Sequence, residues 1–165
     1  LTTTQRVCIL GEQSGGRLEE AFDIQVQCFD PEAVARLNRI SKETGAEFVL
    51  TTNWRRRIGP ERLVRILKAI GVMFDGLVFQ TGVRFSHQER SDEILGWLND
   101  NHGKLNIESF VILEDLHPMR QLERMTVRTD ARWGLRENHV EKAIDILTES
   151  SNEDWLPLLN APEFY

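Results

Sequence analysis

The chain has 165 residues, of which 41% are hydrophobic and 28% charged, and its formal net charge is −6. That size and mixture suit one soluble globular domain with a sizeable core. The acidic total argues against non-specific nucleic-acid binding over the whole surface, while leaving room for a local basic site, and no apolar run approaches the ~20 residues of a membrane span.

No signal-peptide pattern opens the chain, and it starts at Leu1 rather than Met, so the expectation is that something upstream has been removed or left out. Cys8 and Cys28 sit in no metal-binding spacing. The expected setting is reduced and cytoplasmic, although two cysteines can form one bridge.

Residues 3–9 and 22–29 both carry partial alternation. FDIQVQCF puts Phe22, Ile24, Val26 and Cys28 on one face, and the turn-rich GEQSGGR lies between the two stretches. This pattern predicts an N-terminal β-hairpin flap. A helix follows, with Asp30 as N-cap, Pro31 in the first turn, an apolar stripe at Val34, Leu37 and Ile40, and a stop at Gly45. Glu47 to Leu50 reads as a buried strand. Gly59-Pro60 opens a second helix with Leu63, Ile66, Leu67 and Ile70 inward, ending at Gly71. Leu77 to Phe79 is a short apolar run.

Ser86 with Glu89 makes a capping-box pattern, and Ser91 is a second candidate cap, ahead of a stripe at Ile94, Leu95, Trp97 and Leu98. Phe110 to Leu113 reads as a buried strand and Met125 to Arg128 as another. A last helix is expected over Glu137 to Leu147. The segment 150–165, with two prolines, reads as an irregular tail after a domain over 1–149. Apolar strands that alternate with amphipathic helices indicate an α/β fold: a mostly parallel sheet with helices on both faces, in three αβα layers.

Ligands of such sheets bind beyond the carboxyl ends of the strands. There the sequence places Thr51-Thr52-Asn53-Trp54-Arg55, then Glu114-Asp115, then Thr129-Asp130. Adjacent carboxylates after a buried strand repel each other and are costly to desolvate, and Mg²⁺ would compensate both. A strand that simply ends at the surface, where acids are common, is the simpler account of these two residues taken alone. Thr52 is either a solvated strand end or a hydroxyl that bonds a phosphate oxygen. Arg55 to Arg57 form a solvated turn or a bidentate phosphate clamp. His87, His102, His117 and His139 show no ligand spacing.

Taken together, VLTTNWR, ERSDEILGWL, FVILEDL and VRTDARWGLRENHVEKAIDIL, with CFDPEAVARLNRISKETGAE ahead of them, resemble the haloacid dehalogenase-like (HAD) hydrolase superfamily. More narrowly, they resemble the HAD domain of Swiss Army Knife RNA repair proteins. The resemblance implies a Rossmann-like fold and a Mg²⁺-dependent phosphomonoesterase that works through an aspartyl-phosphate. Its substrate would be a phosphorylated small molecule or a nucleic-acid end. It also implies that Thr52 holds the phosphoryl group and that Arg90 stabilises its charge. Asp115 and Glu114 would hold the metal, and Asn53, Trp54 and Arg55 would contact substrate. Glu114 departs from the family's usual pair of aspartates.

The larger departure is at the front. The family's first motif is a buried strand ending in Asp-x-Asp-Gly-Val-Leu, and no Asp-x-Asp occurs in the 165 residues. Either that strand precedes residue 1 and Leu1 is the last residue of the motif, or VCIL at 7–10 is the strand and GEQSGG stands in place of the motif. The alternation in FDIQVQCF favours the first. The second would give a catalytically inactive module that binds a phosphorylated ligand or a protein partner.

Overall fold

The computed structural model describes residues 4–10, 30–51, 59–73, 79–80, 89–130 and 132–159. Five parallel strands form one sheet: β1 (Gln5–Leu10), β2 (Glu47–Leu50), β3 (Phe79–Gln80), β4 (Ile107–Glu114) and β5 (Thr126–Arg128), in the order β3-β2-β1-β4-β5. The helices are α1 (Pro31–Thr44), α2 (Pro60–Ala69), α3 (Arg90–Asn101), α4 (Glu137–Glu149) and α5 (Asn152–Leu159). A 3₁₀ turn, Arg120–Met125, leads into β5.

The central strands read as continuous apolar runs because both of their faces are covered. Cys8, Leu10, Phe48, Leu50, Val111 and Leu113 point into a core closed by α1, α2 and α4. Val7, Ile9, Val49, Phe110 and Ile112 point the other way, into a core closed by α3, α5 and the 3₁₀ turn. This is the three-layer α/β arrangement the alternation of elements predicts.

Two expectations fail. The hairpin at the N-terminus does not form in the sheet, because β1 is its middle strand. Val7 to Leu10 pair in parallel with Glu47 to Leu50 on one side and with Phe110 to Leu113 on the other. With both edges of β1 taken, a hairpin partner has nowhere to bond. VCIL, read as half of a flap, is a strand buried on two faces, and it fills the place expected for a strand upstream of residue 1. Residues 22–29 lie outside the described residues.

The other failure is the tail, since Asn152–Leu159 is a helix in spite of Pro157. Proline removes one helical hydrogen bond, and the burial of Trp155 outweighs that loss. The indole is fully buried, its Nε1–H donates to the Glu108 carbonyl at 3.0 Å, and its ring meets Phe110 edge-on at 5.3 Å.

The local punctuation largely follows the residues. The Asp30 side chain accepts from the Glu32 N–H, and Gly45 closes α1 at φ 72°, a conformation that favours glycine. In α3, by contrast, Glu89 holds the N-cap position and Ser91 lies inside the helix, buried. Ser86 and the run at 77–78 lie outside the described residues.

Trp155→Ala should lower unfolding free energy by about 3–5 kcal/mol, through the lost ring and the cavity it leaves. Urea titration of the variant measures this. A loss under ~1 kcal/mol would mean that α5 is not part of the core.

Candidate functional site

Parallel strands all end at one edge of the sheet, and register decides what meets there. Leu50, Leu10 and Leu113 stand level on β2, β1 and β4. One residue further along, the sequence has Thr51, Gly11 and Glu114. The ladder continues past β2, with the Thr51 N–H donating to the Leu10 carbonyl at 3.1 Å. Thr51 and Glu114 are both fully buried. Two strand spacings separate them, about 10 Å.

Arg90 reaches this edge from the first residue of α3. Its Nη1 donates to Thr51 Oγ1 at 2.8 Å and lies 4.0 Å from a Glu93 carboxylate oxygen, with each of the two charged side chains only 3% exposed. A cation in the first turn opposes the helix dipole, and burying it adds desolvation. Glu93 offsets both costs, and Thr51 fixes the direction of the fork. Local preference is thus overridden to bring a guanidinium to the strand ends, as happens where a site is built.

Glu114 also has a part in the chain's own local structure. Its Oε1 accepts from the backbone N–H groups of Leu116 at 3.0 Å and His117 at 3.2 Å, so the carboxylate closes the turn that follows β4. Asp115 beside it is half-buried. The same turn is braced by Arg128, whose Nη1 donates to the His117 carbonyl at 2.6 Å and whose other nitrogens bond Glu123. That hydrogen bond from Arg128, with help from the Met119 N–H and against partial burial, holds the Glu123 carboxyl below its ordinary value. Thr129 Oγ1 is buried with no hydrogen-bond partner among the described residues.

Beyond β5 the chain makes a clamped turn. The Asp130 carboxylate accepts from the N–H groups of Arg132 at 2.7 Å and Trp133 at 3.1 Å, which hold its pKa below the usual value. Gly134 adopts φ 69° and bonds back to Asp130. At the start of α4, His139 Nδ1 accepts from the Arg136 N–H at 2.9 Å. Burial, then the charge of Arg136, lowers the His139 pKa.

Of the residues singled out by sequence, Arg90 stands at the β2 end and Glu114 and Asp115 at the β4 end. Thr52, Asn53, Trp54 and Arg55 lie outside the described residues. Thr51 was read only as part of the strand end, with the phosphate contact given to Thr52, and Glu93 was missed, although its helical i,i+3 spacing from Arg90 was an available sign. Cys8 is a packing residue in β1, its thiol pushed up by burial.

Among the described residues, no group of three or more His, Cys, Asp or Glu is placed to hold a metal ion. Glu114 and Asp115 supply two carboxylates, one with an oxygen already committed to backbone. That suits Mg²⁺ only as it is commonly held, by one or two carboxylates together with water and a ligand phosphate. Among the described residues, no helix is long and apolar enough to cross a membrane.

The model of the family described as the HAD domain in Swiss Army Knife RNA repair proteins matches residues 9–140. The matched stretch begins within β1 and runs into α4. No curated protein and no solved structure matches the chain.

Two outcomes follow from the geometry. Arg90→Ala removes a buried guanidinium that bonds Thr51 and lies 4.0 Å from Glu93 and should cost about 3–5 kcal/mol, while Arg90→Met with Glu93→Leu should recover part of that. Urea unfolding of both variants tests it, and a single variant within ~1 kcal/mol of the parent would deny the pair its role. His139, with its folded pKa below 6.5, stabilises as the neutral acceptor. Its contribution is whole above pH ~6.5 and fades as pH falls through the depressed value. His139→Gln, which can cap without titrating, should flatten the fall in thermal midpoint between pH 7 and 5. Identical slopes would clear His139 of the effect.

Proposed function

The chain belongs to the family of HAD domains found in Swiss Army Knife RNA repair proteins, and on that premise we propose that it is a member that binds a phosphate ester without forming an aspartyl-phosphate. One observation carries this reading: β1 occupies the place between the Thr51 strand and the Glu114 strand. The family's attacking aspartate belongs directly after that strand, with its acid/base partner two residues on. Those places hold Gly11 and Gln13, with Glu12 between them. A glycine offers no nucleophile, and an amide neither gives nor takes a proton at ordinary pH.

The remaining parts of a phosphoryl site support binding. Arg90 brings a guanidinium to the strand ends, oriented through Thr51, and a guanidinium recognises phosphate by charge and by its planar fork. Thr52, next in the chain, would add a hydroxyl, and Asn53, Trp54 and Arg55 would border the ligand. Glu114 and Asp115 would hold Mg²⁺ together with the ligand's phosphate, where the metal would offset phosphate charge. Without Asp at positions 11 and 13, a metal-dependent phosphomonoesterase would need a different nucleophile, and the described residues contain no candidate aligned with the β1 end.

The test pairs binding with turnover. Isothermal titration should show inorganic phosphate bound with Mg²⁺ present, whereas p-nitrophenyl phosphate should be cleaved no faster than in buffer. Gly11→Asp with Gln13→Asp restores the two carboxylates and should produce Mg²⁺-dependent release. Mg²⁺-dependent turnover by the parent protein that Asp115→Asn abolishes would overturn the reading in favour of a phosphatase.

A further inference from the structure

Arg120 stands in a backbone conformation that its side chain disfavours. Its φ is 51°, in the left-handed region where a residue with a Cβ costs free energy that glycine would not. Among the described residues, Asn106 is the other non-glycine residue with positive φ, and asparagine tolerates it. Such strain persists only where the surroundings impose it, and it gathers at places where function needs it. Here the surroundings are two anchors. Met119 and Leu122, which flank Arg120, are fully buried in the core shared with α3. The Leu122 N–H donates to the Met119 carbonyl at 2.8 Å, and the Met119 N–H donates to Glu123 Oε1 at 3.1 Å. Arg128 holds Glu123 in turn.

What the strain delivers is a guanidinium at the start of α3. Arg120 Nη2 donates to Glu89 Oε1 at 2.6 Å, across 31 residues of chain. Glu89 is the N-cap residue of α3, yet its side chain makes no capping bond to the helix. Its carboxylate serves Arg120, while its backbone carbonyl accepts from the N–H groups of Asp92 at 3.1 Å and Glu93 at 3.3 Å. Arg90 is the next residue. The residue that starts the helix is thus fastened to the connection between β4 and β5, and the residue after it sends its guanidinium to Thr51. A long side chain keeps its direction only if its backbone is held. The two ends of the ion pair are 36% and 46% exposed, so it adds little to stability. Strain maintained for a bond of so little stabilising value points to placement as its use.

We infer that Arg120 is a positioning residue: through Glu89 it fixes the first turn of α3, and with it the guanidinium that Arg90 presents to phosphate. This rests on the phosphate-binding reading and adds the part that holds its cation in place. Position and charge predict effects of opposite sign. Removing the Glu89 carboxylate takes a negative charge away from beside Arg90, so charge alone would tighten phosphate binding. Loss of position would weaken it.

The experiment titrates inorganic phosphate calorimetrically into the full chain with Mg²⁺ present, and follows amide exchange by NMR. Arg120→Gly and Glu89→Gln should each weaken phosphate binding about three- to tenfold, within the range for residues that act without touching the ligand. Together they should do no more than either alone, because the same bond is lost. Arg120→Lys, which keeps a cation, should recover part of the affinity. The thermal midpoint of Arg120→Gly should match or exceed the parent's, since glycine relieves the strain. The Asp92 and Glu93 amides should exchange faster in both variants, with Val7 in β1 unchanged. Tighter binding by Glu89→Gln, parental affinity in Arg120→Gly, or a midpoint of Arg120→Gly that falls as binding weakens would overturn the role and leave phosphate binding intact. A parent protein that fails to bind phosphate would bring down the phosphate reading, and the role with it. Unchanged exchange at Asp92 and Glu93 in both variants would overturn the bridge alone.

Discussion

The parallel pairing of β1 with two strands at once is the constraint from which the site follows. Six residues lie between β2 and β4 and hold Leu50, Leu10 and Leu113 level. Side chains in a strand alternate with period 2, so a slip of one residue would turn Val7 and Ile9 toward the wrong core. The apolar alternation thus fixes the register, and the register fixes which residues emerge together at the carboxyl edge. Thr51 and Glu114 each follow directly on residues level with Leu10 because two hydrophobic cores require that register.

Charge at that edge is managed by pairing rather than by exposure. Arg90 is buried with Glu93 and tied to Thr51, and Glu114 is buried with two backbone N–H groups. A buried ion pair of this kind is weak support for stability, because desolvation consumes much of the attraction. On the phosphate-binding reading, its value lies in placement. A guanidinium with a fixed direction meets a phosphate without first losing side-chain freedom.

The architecture was legible in the sequence because long periodic stretches carry it. The α1 stripe from Val34 to Ile40 and the α4 stripe from Val140 to Leu147 have the helical period, and Asp30, Pro31 and Gly45 mark the α1 limits. The role of VCIL was not legible. Four apolar residues in a row are short enough to suit a flap or a central strand, and only the neighbours supplied by distant β2 and β4 decide between them. Trp155 was hidden for a similar reason: Pro157 argues locally against a helix, and the argument in favour lies 45 residues away at Phe110. In the site, Arg90 and the acid pair were visible as types of residue. The diversion of Glu114 into its own turn was not, since the N–H groups it bonds carry no side-chain signature.

On the binding reading proposed above, the same register accounts for how the sheet would hold together with no aspartates after β1. Aspartates at positions 11 and 13 would begin one strand spacing, about 4.8 Å, from the level of Glu114. Like charges that close to one another raise each other's pKa or demand a cation. With glycine in the sequence at position 11, that demand would be reduced, and one Glu114 oxygen is given to backbone donors. Nothing in the sheet is lost, because β1 is held by Val7 to Leu10 and their pairing on both sides, all of it upstream of the motif. The pairing that holds the strand and the residues that follow it are therefore physically separable, since none of the β1 pairing depends on what comes after Leu10.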